Sequence, residues 1–147
     1  MSALKTIAAE MANIIRTAVD GNGVDVQVEG FWILKPTPPT VDVFTGDPAK
    51  GNDAAGFGDM AGEDIWTVRV RVGLNDYEEN HDLLYDFMDQ ESNLCVPLAL
   101  LDEPTLNGHA TSLDVRSFSG LRLFPEPDGT VPHIGCEWGF LVIPARS

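Results

Sequence analysis

The stretch Asp64–Leu74, DIWTVRVRVGL, alternates without a break. Trp66, Val68, Val70, Val72 and Leu74 fall on one side; Ile65, Thr67, Arg69 and Arg71 fall on the other. Side chains on a strand repeat every two residues, so the pattern specifies a strand with one apolar face. The second face, bearing two arginines, is expected to meet water or a partner. A strand of this kind has no stability alone. It requires neighbouring strands and a layer of helix over its apolar side.

The flanking sequence supplies both. Leu4, Ile7, Ala8, Met11, Ile14, Ile15 and Ala18 recur at helical spacing, with Ser2 as a candidate cap and Asp20–Gly23 as a stop. Val24, Val26 and Val28 alternate with polar residues as a half-buried strand, and Gly30–Lys35 reads as a second strand or its continuation. The prolines at 36, 38 and 39 break the pattern before a short strand at Thr40–Thr45. Asn75–Glu91 reads as a second helix, with Asn75 as cap, Glu78 three residues on, and Tyr77, Leu84, Phe87 and Met88 on its apolar side. Ser92–Ser112 reads as a connector with one helical turn, interrupted by Pro97 and Pro104. Asp114–Phe124 and Val131–Ala145 form a closing hairpin that places Ile134, Cys136, Trp138, Phe140 and Val142 on one face. The order specifies an α+β fold, a mostly antiparallel sheet with two main helices on one face, in a single domain over residues 1–147. Between the second and third strand patterns lies Gly46–Asp64, GDPAKGNDAAGFGDMAGED, a long loop rich in Gly and Asp.

Composition narrows the function. The chain carries 9 Lys and Arg against 23 Asp and Glu, a formal charge of -14. Such a surface repels nucleic-acid phosphates and anionic membranes, which disfavours DNA binding by general attraction. It is compatible with DNA that slides past without sticking. Cys95 and Cys136 sit in apolar surroundings and read as small buried hydrophobes in a reducing compartment. No signal peptide is evident, and no apolar run approaches the roughly 20 residues that span a bilayer.

Motifs for chemistry fail on inspection. Gly46 and Gly51 have the spacing of a phosphate-binding loop, but Asn52 and Asp53 stand where Lys and Ser or Thr are required. Asp20–Phe31 begins like a calcium loop, yet Val24, Asp25 and Phe31 occupy three positions that need other residues. His81, His109 and His133 lie in three elements without metal spacing, and they read as surface or hydrogen-bonded side chains. The expectation is no catalytic residue, no metal and no cofactor.

The arginines carry more information. Arg69 and Arg71 share one strand face, and Arg116 and Arg122 share a face of a strand able to neighbour it. They either pair within the sheet with Asp or Glu of adjacent strands, or form a basic surface for the acidic surface of another subunit. Contact with DNA is the third alternative.

The succession LKTIAAEMANIIRTAV, PPTVDVFTGD, DIWTVRVRVGLND running into YEENHDLLYDFMD, and SGLRLF to GCEWGFLVI resembles the tail terminator proteins of long-tailed bacteriophages. The resemblance spans about Leu4 to Ile143 and rests on element order, since that family has no catalytic signature. It implies a virion protein at the head–tail junction, made in the host cytoplasm. There a ring, commonly of six subunits, ends tube polymerisation and joins the tail tube protein to the head connector or stopper. Genomic DNA passes through the ring without sequence-specific binding. The long loop is then an arm that orders against a neighbour, the tube or the connector. The candidate contact residues are Arg69, Arg71, Arg116 and Arg122 with Asp47, Lys50, Asp53, Phe57, Asp59 and Met60 of the arm. Another head–tail joining protein, a stopper or a tail completion protein, is the nearest alternative; a small ligand-binding domain is more remote.

Overall fold

A computed structural model describes residues 3–34, 38–46, 64–74, 77–124 and 132–145. The elements are α1 (Ala3–Gly21), β1 (Gln27–Glu29), β2 (Thr40–Thr45), β3 (Asp64–Val72), α2 (Tyr77–Met88), α3 (Val96–Leu101), a 3-10 turn at Leu106–Gly108, β4 (Ala110–Phe124) and β5 (His133–Pro144). They make the expected α+β domain. The five strands form one sheet in the order β1-β2-β3-β5-β4. Every pairing is antiparallel except β1 with β2, which is parallel.

Register explains the core. Val41, Val70 and Cys136 form one row across β2, β3 and β5; Val43, Val68 and Trp138 form the next. Directly paired residues point to the same side, so these rows build a continuous apolar front face. α1 presents Ile7, Met11, Ile15 and Val19 to it, and α2 presents Leu84 and Phe87, all fully buried. The 3.6-residue period of α1 and the two-residue period of the strands thus meet in one layer.

Three local readings are corrected. Gly30–Leu34 is not a strand. Parallel pairing of β1 with β2 forces the chain to cross back over the sheet, and these residues make that crossing as a strap. The connector holds a six-residue helix, α3, because Pro97 falls within its first turn, where a missing N–H costs no helical bond. The hairpin strand β4 begins at Ala110 and carries three register shifts, which simple alternation does not anticipate. The candidate caps Ser2 and Asn75 lie outside the described residues.

Two glycines mark close approaches. A Cβ on Gly30 would lie 2.8 Å from the Ala8 carbonyl oxygen of α1, which lets the end of β1 press against the helix. At Gly135 it would lie 1.9 Å from the Val70 carbonyl oxygen. Gly135→Ala is expected to lower unfolding stability by about 3 kcal/mol, since backbone must shift to admit the methyl group. Gly120→Ala on neighbouring β4 meets nothing within 4 Å and should be near neutral. Urea unfolding of the two variants checks the contrast; equal effects would mean β3 and β5 are not so closely apposed.

Candidate functional site

The back face of the sheet is polar and buried. Asp42 of β2, Arg69 of β3 and Glu137 of β5 form one transverse row, with Thr40, Arg71 and Gly135 in the row alongside. Asp42 and Glu137 are fully buried, and Arg69 and Arg71 are each only 4% exposed. The arginines on β3 therefore do not face water. They pair within the subunit, which is the first of the alternatives drawn from the sequence.

Asp42 organises the cluster. Arg69 Nε donates to its Oδ1 at 3.0 Å and an Arg69 terminal nitrogen to Oδ2 at 2.5 Å, a bidentate pair. Arg71 donates to the same Oδ2 at 3.1 Å. Ile33 N–H adds a fourth bond to the carboxylate, the third to that oxygen, at 3.1 Å. Arg71 also donates to the Ile33 carbonyl at 3.0 Å, so the strap is held from both its polar groups. Above, the Arg69 guanidinium lies 4.7 Å from the Trp32 ring centroid, 5.0 Å from Phe44 and 5.6 Å from Phe124. Trp32 and Phe44 stack at 4.6 Å. Charged edges meet carboxylate while the flat face meets aromatic rings, an arrangement suited to Arg and not to Lys.

The other two arginines differ. Arg122 donates to buried Glu137, and its guanidinium lies 4.6 Å from the Phe124 ring centroid, but its side chain remains 45% exposed. Arg116 is exposed and sits at the register shift between Val115 and Ser117. Two shifts separate it from Arg122, so the shared face expected from even spacing does not follow from alternation. The arm residues Asp47, Lys50, Asp53, Phe57, Asp59 and Met60 lie outside the described residues.

Two apolar surfaces were not anticipated. One is the strap, whose Phe31, Trp32 and Leu34 are exposed although the residue between, Ile33, is buried. The other runs along β4, where Val115, Phe118, Leu121 and Leu123 are exposed. Helix length explains the second. Six residues of α3 span about 9 Å, while fifteen residues of β4 run to about 50 Å, so the helix leaves most of the strand uncovered. Between α3, the end of α2 and β4 opens a groove of about 550 Å³, lined by Met88, Leu98, Leu101, Val115, Phe118 and Trp138 among others. Phe118 packs against Trp138 at 5.5 Å on its floor. Val115, Phe118, Leu121 and Leu123, recurring along one strand at spacings of three, three and two, were the available signal.

Both cysteines are free and buried. Burial pushes the Cys136 thiol up to about 12, with the neighbouring Glu137 charge adding to the effect, and burial likewise raises Cys95. Among the described residues no group of three or more His, Cys, Asp and Glu is placed to hold a metal ion, and no helix is long and apolar enough to cross a membrane. No protein-family model matches the chain, and no curated protein matches its sequence.

Two outcomes follow. Asp42→Asn leaves two buried guanidinium groups without their carboxylate and is expected to cost about 3–5 kcal/mol in urea unfolding; a loss below about 1 kcal/mol would show the strap is not held by this charge. For Cys136 the folded thiol ionises only near pH 12, whereas the unfolded thiol ionises near its ordinary value of 9.0. The unfolded state thus loses its proton first, and stability falls as pH rises through that window, by at most about 1.4 kcal/mol per pH unit from this group. Cys136→Ala should flatten the decline relative to wild type.

Proposed function

We propose that the protein is a structural component of a bacteriophage head–tail junction, a tail terminator subunit that assembles into a ring on the tail tube. The observation that carries the reading is the open β4 edge. Soluble domains ordinarily blunt or cover a long edge strand, and this one keeps apolar side chains exposed along it. A surface of that kind is expected of a subunit that completes itself only in an assembly.

Three further features support it. The order of elements follows the resemblance described above, with β3 feeding α2 and a closing hairpin. The excess of negative charge suits a conduit through which DNA passes without being gripped. The strap and the β4 surface are different from each other, and a ring closes through unlike surfaces repeated around an axis. In this reading Arg116 and the exposed edge of Arg122 belong to the outer contact surface, while Arg69 and Arg71 act inside the subunit by holding the strap. The proposed partners are copies of this chain, the tail tube protein and the head connector or stopper.

The test uses purified protein added to tail tubes built from the tube protein of the same genome. Negative-stain images are expected to show a ring at one end of each tube, and tubes grown in its presence should stop lengthening. Attachment to the head-side partner without binding to tubes would favour a stopper. Binding to neither, with the protein monomeric throughout, would overturn the assignment.

A further inference from the structure

The strap wraps from the β1 edge onto the back face, whereas the groove lies on the front face beside β4. β1 and β4 are the opposite edges of the sheet, so one chain cannot use either surface to cover the other. We propose that they cover each other between copies: the Phe31–Leu34 strap of one subunit seats in the α3–β4 groove of the next. This contact rests on the ring reading and names the surfaces that build it.

Area supports the pairing. Phe31, Trp32 and Leu34 on one side, and Val115, Phe118, Leu121 and Leu123 on the other, are each between 36% and 69% exposed. At about 150–250 Å² for a large side chain, the two surfaces together present roughly 700 Å² of apolar area. With the polar rim such contacts carry, the whole comes to roughly 1,100–1,200 Å², the lower limit for a stable pair. A single contact of that size holds two free subunits weakly. Closed around a ring, or on a tube that holds neighbours side by side, it is made once per subunit and becomes effective.

Charge supports the same orientation. Lys5 and Arg16 of α1 and Glu29 of β1 line a hollow beside Phe31. Charges of both signs also lie close to the groove. Asp89, between the lining residues Met88 and Gln90, and Asp102, at the end of α3, flank its helix side. Arg116 follows the lining residue Val115 at a register shift of β4. Seating the strap with α1 toward α2 and α3 sets Lys5 and Arg16 against the acids, and Glu29 against Arg116. Rim charges of this kind set orientation more than strength.

Cysteine pairing tests the contact. In a Cys95→Ala background, Phe31→Cys and Val115→Cys in the same chain should give a covalent ladder when concentrated or tube-bound protein is oxidised. Either variant alone should give none, and a mixture of the two single variants should stop at dimer. Arg116→Glu should weaken self-association about tenfold by sedimentation, and adding Glu29→Arg should restore it. Wild-type rings without a ladder would overturn this contact and leave the ring reading standing. Val115→Cys linking to itself would replace it with a two-fold β4 pairing. A wild-type chain that stays monomeric on tubes and in concentrated solution, while its groove takes up an apolar dye, would end both.

Discussion

A single carboxylate holds the back of this sheet. Asp42 sits in the middle of β2, fully buried, and accepts from Arg69, Arg71 and the strap backbone at once. A buried carboxylate is costly unless it is paired and its lone pairs are filled, and here both oxygens are used. The same bonds give two buried arginines their counter-charge. They also fix the strap. Without that polar floor, a strap bearing Phe31, Trp32 and Leu34 would have stronger reason to collapse its rings inward than to present them outward.

The front face follows a different rule. There the packing is apolar and layered, and its limit is the amount of helix available. α1 covers the β1 side with nineteen residues, and α2 covers β3 with twelve. Among the described residues, the helices packed most against the β4 side are α3 and a 3-10 turn. The sheet is therefore finished at one edge and unfinished at the other. The exposed side chains on β4 and the groove beside it are one consequence of a short helix, and need no separate cause.

This asymmetry sets what was legible in the amino-acid order. The stripe on α1 and the alternation in β3 are periodic, and periodicity survives into the fold because it selects one buried side. The second side of β3 was harder. Arginines alternating with valines look like a solvated face, and only the partners decide otherwise. The signal lay in neighbouring strands: Asp42 stands between two valines, and Glu137 stands among Cys136, Trp138 and two nearby glycines. A lone acid inside an apolar strand needs a cation, and Arg69 meets both acids in register. The strap and the β4 irregularities carried no comparable mark. The strap residues have strand-like composition, but the direction of β1 relative to β2 denies them a place in the sheet. In β4 the three shifts interrupt the two-residue alternation, so the side each residue faces cannot be counted along the strand.

Net charge then bears on how the proposed ring comes together. Subunits carrying -14 each repel one another, and at physiological salt that repulsion reaches only about 8 Å. Inside that distance the proposed strap–groove contact would dominate; beyond it the charges would keep free subunits apart. A contact near the lower limit of stable size, set against long-range repulsion, disfavours rings in dilute solution. It favours them on a surface that already spaces the subunits, because the translational freedom lost on assembly is then largely spent by the surface contact. A protein that ends a polymer benefits from that arrangement, since rings that closed in solution would occupy the subunits before a tube end was present. In the proposed ring, the weakness of the strap–groove contact and the acidity of the chain would thus act in the same direction: both would make assembly conditional on the tube.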